Sequence, residues 1–166
     1  MSVSYDFSGK VALVTGSSDG IGAAIALLFA KSGAEVVVTG RNGDKVSSVA
    51  EQCSRASPKG LKPLQVVADV SSEEQCKRLV QQTIDRFGKL DIVVNNAGIG
   101  MGAGITDTEY VEKYEKVLAT NLNACIYLTH ESVPHLEKTK GNIINISSIG
   151  AKVSVRNLQF LSNKYK

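Results

Sequence analysis

Three short runs of branched apolar residues, 10–15 (KVALVT), 35–39 (EVVVT) and 91–95 (DIVVN), recur along the chain with helical stretches between them. Unbroken hydrophobicity over so few residues is the pattern of a strand buried on both faces, as in a parallel sheet. Residues 64–68 (LQVVA) and 142–147 (NIINIS) join them, the second alternating only in part but rich in isoleucine. Five strands are predicted. Between Ser72 and Gly88 the residues Cys76, Leu79, Val80, Thr83, Ile84 and Phe87 fall at helical spacing, with Ser72 as N-cap and Gly88 as the stop. A longer helix is predicted over 107–136, its stripe being Tyr114, Val117, Leu118, Asn121, Leu122 and Cys125, which sets an asparagine among apolar positions. Strand and helix alternate from Lys10 to Ser147, and right-handed crossovers then require a parallel sheet with helices on both faces, a doubly wound α/β fold.

Composition narrows the function classes. The chain has 166 residues, 43% hydrophobic and 21% charged, enough for one globular domain with a core and against disorder. No repeat or proline-rich linker marks a boundary, so residues 1–166 are expected to form a single domain. Three cysteines and two histidines show no metal-ligand spacing and no disulfide framework, and no metal is expected. His130 and His135 are expected at the surface and Cys125 in the core. No window reaches the roughly 18 apolar residues of a membrane span, and the first ten residues carry no apolar stretch. The expectation is a soluble, cytoplasmic protein without membrane partners. A formal charge of +3 is too small and dispersed for nucleic acid. No G-x-S-x-G elbow supports a serine hydrolase.

The sharpest local signal is residues 15–22, TGSSDGIG, between the first strand and an apolar helix continuing through Ile25, Leu28 and Phe29. Glycines at a strand-to-helix turn let the backbone approach a ligand, and the amides and positive dipole end of the helix favour a phosphate. A tight turn packed with small residues is the alternative. The spacing G-x-x-x-G-x-G departs from the usual dinucleotide fingerprint, G-x-G-x-x-G. No acid lies between Glu35 and Asp44 to accept hydrogen bonds from a ribose, and the second strand ends in Gly40 and Arg41. A guanidinium there can grip a 2′-phosphate bidentately, which favours NADP over NAD, unless Arg41 is simply a solvated turn residue. Asn121 reads equally as a helix kink satisfied by backbone and as the holder of a catalytic water. Ser147 and Ser148 read as a strand end or as active-site hydroxyls.

Taken together, TGSSDGIG at 15–22, Asp69-Val70 after the third strand, Asn95-Asn96-Ala97-Gly98 after the fourth, Asn121-Leu122 on the long helix and Ile146-Ser147-Ser148 on the fifth strand resemble the classical short-chain dehydrogenase/reductase family, in order and over nearly the whole chain. The resemblance implies a Rossmann-like doubly wound parallel sheet of about five strands, incomplete at its C-terminal side. It implies a nicotinamide coenzyme, NADP(H), with Gly16, Ser17, Ser18, Gly20, Ile21 and Gly22 at the pyrophosphate. Arg41 would hold the 2′-phosphate, Asp69 and Val70 the adenine, and Asn96, Ala97 and Gly98 the ribose and nicotinamide side. Ser148 would orient a small carbonyl or alcohol substrate and Asn121 would hold a proton-relay water.

The pattern breaks at the family's Y-x-x-x-K element, whose spacing puts phenol and ammonium on one helix face so that the cation favours tyrosinate. Aligned on the family's Y-S-x-S-K, residues 160–166 (FLSNKYK) place Leu161 where the tyrosine belongs and Tyr165 where the lysine belongs. Truncation of a family member is the favoured explanation. The alternative is a catalytically inactive cofactor-binding or interaction module that pairs through the 107–136 helix or an exposed edge at 142–147.

Overall fold

The computed structural model describes residues 5–151. Five strands, β1 (Val11–Val14), β2 (Glu35–Gly40), β3 (Leu64–Val67), β4 (Ile92–Asn95) and β5 (Asn142–Asn145), form one sheet in the order β3-β2-β1-β4-β5. Every pairing is parallel. The crossovers contain α1 (Gly20–Lys31), α2 (Gly43–Ala56), α3 (Glu73–Phe87), and a long helix made of α4 (Tyr110–Leu118), a π-helical turn (Ala119–Asn123) and α5 (Ala124–Thr139). The predicted doubly wound architecture is therefore present, with all five strands in the expected places.

Alternate residues of the strands feed two separate cores. Val11, Leu13, Val37, Val66 and Val93 face α3 and α5 and pack with Leu79, Val80 and Leu128. Ala12, Val14, Val36, Val38 and Val94 face α1 and α2 and pack with Ala26, Phe29, Val46 and Val49. A strand covered on both sides needs apolar residues at consecutive positions, which is why β1, β2 and β4 read as continuous runs. At the N-terminal ends of β1 and β4, Asp91, 3% exposed, accepts from the Val11 amide at 2.9 Å and pairs with Lys10 at 2.9 Å and Lys89 at 3.1 Å.

The Ser72 and Gly88 caps are as expected: the Ser72 hydroxyl accepts from the Gln75 amide at 3.4 Å, and Gly88 takes the left-handed conformation at φ 73°. The long helix departs from expectation. It begins at Tyr110 because Asp107 is spent on a preceding turn, its carboxylate accepting from the Gly104 amide at 2.7 Å, and it runs to Thr139, where Lys140 turns left-handed at φ 51°. Of the expected stripe, Val117 and Asn121 are buried, Leu118 and Cys125 are half-buried, and Tyr114 and Leu122 are exposed. The actual inner face is Val117, Asn121, Ala124, Leu128, Ser132 and Leu136, and the sequence pattern had merged it with a second apolar stripe on the outer face. Cys125 is thus not a core residue; Cys53 and Cys76 are. His130 is exposed as expected and His135 half-buried. β5 is an edge strand whose Ile144 is exposed, and among the described residues no further strand covers it. The candidate acid/base stretch with Leu161 and Tyr165 lies outside the described residues.

Candidate functional site

The chain winds from β1 out to β3, then returns to lay β4 against the other side of β1. Loops leaving the carboxyl ends of β1 and β4 consequently diverge, and an open α/β sheet places its ligand crevice at that switch point. A cavity of about 470 Å³ lies there. Its floor and walls are Gly16, Ser18, Asp19, Gly20 and Ile21 after β1, Gly40 and Arg41 at the end of β2, Ala68, Asp69 and Val70 after β3, and 96–99 after β4, with Thr120 from the π-helical turn.

Thr15 and Asn96 stitch the two central loops together. The Thr15 hydroxyl accepts from the amides of Asn96 and Ala97, each at 3.0 Å, and donates to the Val94 carbonyl at 3.3 Å. In return the Asn96 side-chain amide donates to the Thr15 carbonyl at 2.8 Å and to the Gly16 carbonyl at 3.4 Å. Gly16 adopts φ 62°, and a Cβ there would lie 3.0 Å from the Ala97 Cα. Gly20 also has positive φ, 54°, yet a Cβ on it would meet nothing within 4 Å, so its open side faces the cavity it lines. Helix α1 starts at Gly20, whose amide is capped by the Asp19 carboxylate at 2.8 Å.

Other predicted site residues divide into those that line the crevice and those that support it. Ser17 is 0% exposed and turned into the sheet, where its hydroxyl accepts from the Thr39 amide at 2.9 Å, so it does not line the cavity. Gly22 is buried beneath the turn. Asp69 lines the cavity, its carboxylate accepting from the Ser71 amide at 3.0 Å and hydroxyl at 2.8 Å. Val70 is held from behind by the Cys76 thiol, which donates to its carbonyl at 3.1 Å; burial pushes that thiol up to about 12, so it stays protonated. Arg41 is exposed on the cavity rim and makes no ion pair among the described residues.

Asn121 is 3% exposed and spends both ends of its amide on one residue: Oδ1 accepts from the Ile99 amide at 2.8 Å and Nδ2 donates to the Ile99 carbonyl at 2.9 Å. It holds the β4 loop against the long helix, and its neighbour Thr120 faces the cavity. Ser148, past the end of β5, is exposed, accepts from the Gly150 amide at 3.1 Å, and is not among the described residues that line the cavity. Sequence reasoning did not single out Thr15, Asp19, Gly40, Ala68, Ile99 or Thr120. Thr15 and Asp19 sit inside the glycine motif itself, Gly40 adjoins Arg41 and Ala68 adjoins Asp69; Ile99 and Thr120 carried no signal. Among the described residues no cluster of side chains could hold a metal ion.

A parallel sheet with a crevice at its switch point, its two central loops stitched by a threonine–asparagine clamp, defines a doubly wound, Rossmann-like α/β protein. Residues 10–160 match the sequence model of the short chain dehydrogenase family, and the chain belongs to that family. It is 42% identical over 142 residues to 11-beta-hydroxysteroid dehydrogenase-like 4A of Arabidopsis thaliana, covering 85% of this chain and 46% of that relative. It is 39% identical over 141 residues to the uncharacterized oxidoreductase SAR2567 of Staphylococcus aureus, covering 84% of this chain and 58% of the relative. The chain therefore spans about half the length of the curated relatives it matches. Among solved structures, a 7 alpha-hydroxysteroid dehydrogenase complexed with NADH and 7-oxo glycochenodeoxycholic acid superposes with a TM-score of 0.88 at 30% identity, covering 96% of this chain and 61% of that one. A Caenorhabditis elegans short-chain dehydrogenase/reductase of unknown function, with cofactor, gives 0.86 at 36% identity, covering 96% and 60%.

Proposed function

We propose that this chain is the coenzyme-binding part of an NADP(H)-dependent oxidoreductase that interconverts a carbonyl and a secondary alcohol, residues 1–166 acting as one domain. The residues present fit a dinucleotide: the cavity-facing Gly20 leaves room for a pyrophosphate at the start of α1, and polar and backbone groups from four strand ends converge on one crevice. When bound, the coenzyme supplies the hydride chemistry; the protein supplies binding and orientation. Gly16, Ser18, Gly20 and Ile21 would hold the pyrophosphate, with Ser17 and Gly22 shaping the turn from beneath. Asp69 and Val70 would border the adenine, and Asn96, Ala97 and Gly98 the ribose and nicotinamide side. Asn121 would position that last loop through Ile99 and hold the relay water, and Ser148 would orient the substrate oxygen.

The observation that carries the coenzyme choice is Arg41, standing on the rim at the end of β2 where a carboxylate would otherwise meet the ribose. Titration of NADPH and NADH against wild type and Arg41→Ala tests it. Loss of a charge-assisted pair should weaken NADPH by about tenfold or more while leaving NADH unchanged. Equal losses for both coenzymes would remove the 2′-phosphate assignment.

A second reading is favoured by Leu161 standing where the family's tyrosine belongs: a module that binds the coenzyme with little turnover and pairs with a second copy. The outer face of the long helix supports the pairing, since Val111, Leu122, Ile126 and Val133 are all exposed along it. A cytoplasmic location fits three cysteines without a disulfide and, among the described residues, no helix long and apolar enough to cross a membrane.

A further inference from the structure

The coenzyme reading leaves one charge on the crevice wall unexplained. Asp19 lies between the glycines of the β1 turn and lines the cavity, as does Arg41. The two loops touch, since a Cβ on Gly40 would fall 2.3 Å from the Ser18 hydroxyl oxygen, and Asp19 and Arg41 line the same crevice. A carboxylate on the same crevice wall opposes any phosphate monoester that Arg41 attracts.

Asp19 is not on its own. Its Oδ2 lies 2.6 Å from the Lys45 ammonium, while its Oδ1 accepts from the Gly20 amide at 2.8 Å. Lys45 stands in the first turn of α2, where the Asn42 side chain caps the Lys45 backbone amide at 3.0 Å. The ammonium and the Gly20 amide together hold the Asp19 carboxyl below its ordinary value of 3.8. Both side chains are more than half exposed, 57% for Lys45 and 73% for Asp19, so the pair adds little to folding stability. Its consequence is for the charge of the crevice: Arg41, Asp19 and Lys45 sum to one positive charge, and without Lys45 they sum to none.

We propose that Lys45 is a specificity-determining residue which selects the 2′-phosphorylated coenzyme indirectly, by neutralising Asp19 so that the Arg41 guanidinium acts unopposed. The inference rests on the NADP(H) reading of Arg41 and deepens it. Lys45 acts through Asp19, and this sets it apart from a second phosphate ligand.

The test is a set of binding titrations, NADPH against NADH, on wild type, Lys45→Ala, Asp19→Asn, the double variant and Arg41→Ala, at low and at moderate salt. Lys45→Ala should reduce the NADPH-over-NADH preference about fivefold, the size of one screened charge–charge interaction. The double variant should recover the wild-type preference, because no carboxylate is left to neutralise. The effect of Lys45→Ala should shrink as salt is raised. A preference that is lost in Arg41→Ala but unmoved in Lys45→Ala overturns the proposal and leaves the coenzyme reading standing. A loss in Lys45→Ala that persists undiminished in the double variant also overturns it, since Lys45 then contacts the phosphate directly. If wild type shows no preference and Arg41→Ala changes nothing, both the coenzyme reading and this proposal fall together.

Discussion

At Gly22 the constraint is space. The residue does not take the left-handed conformation, yet a Cβ on it would lie 2.4 Å from the Gly16 carbonyl oxygen and 2.5 Å from the Asn96 side-chain nitrogen. Those two atoms belong to the clamp between the β1 and β4 loops, so the missing side chain is what lets the clamp close. Gly22→Ala should therefore separate the loops. We expect a loss of about 1–3 kcal/mol in denaturant-derived stability, the usual result of overpacking, together with weakened coenzyme binding. Unchanged stability would mean that the turn yields without cost. The crowding of three glycines was visible in the sequence as a candidate phosphate turn, but their separate duties were not. Gly20 is needed for its backbone angle, Gly22 for its close packing, and Ser17, although inside the motif, is drawn into the sheet by Thr39. Only the three-dimensional neighbours distinguish these roles.

At the level of elements, the long helix shows where periodicity succeeds and where it stops. Its existence and its rough extent followed from apolar spacing alone. The π-helical turn at Ala119–Asn123 did not, because a single extra residue in one turn shifts the phase of the stripe without leaving a compositional mark. Asn121 sits in that turn and makes both of its side-chain hydrogen bonds to Ile99, a residue of the crevice wall. The sequence had left a choice between a satisfied kink and a catalytic role for this asparagine. The structure shows the side chain satisfied by the backbone of Ile99, through which it positions the crevice wall, and the water role belongs to the proposed function. Asn121→Ala would strand the partly buried amide and carbonyl of Ile99, at a cost of about 1–2 kcal/mol. Native-state hydrogen exchange gives a local readout: the Ile99 amide should lose protection while amides of β1 and β2 keep theirs. Full protection at Ile99 in the variant would show that the loop is held by something else. The second crossover helix, α2, was also legible, since Val46, Val49, Ala50 and Cys53 are its buried face at helical spacing; it matters here because it carries the Lys45 that pairs with Asp19.

Across the whole molecule, the two ends of the sheet do different work. The carboxyl ends carry the crevice and the Thr15–Asn96 clamp, and a separate contact ties β1 to β4 at the amino ends. Asp91 does this: its carboxylate accepts from the Val11 amide, its backbone amide donates to the Val11 carbonyl at 3.0 Å, and its carbonyl accepts from Asn142 at the start of β5 at 2.9 Å. Burial acts to raise the Asp91 pKa, but the Val11 amide and the ammonium groups of Lys10 and Lys89 outweigh it, and the net shift is downward from 3.8. The sign follows from linkage. A carboxyl whose pKa is depressed in the folded state stabilises the fold at pH values above its unfolded pKa, about 3.9, and that contribution is lost as the pH falls through the folded value. Urea unfolding of wild type and Asp91→Asn from pH 6 down to pH 2.5 isolates it from the exposed carboxylates, which both proteins share. The wild type should be more stable by about 2 kcal/mol at pH 6, with the gap closing below pH 4. A gap that stays constant over the whole range would mean that Asp91 contributes through shape and packing, and that the charge of its carboxylate does not hold the base of the sheet together.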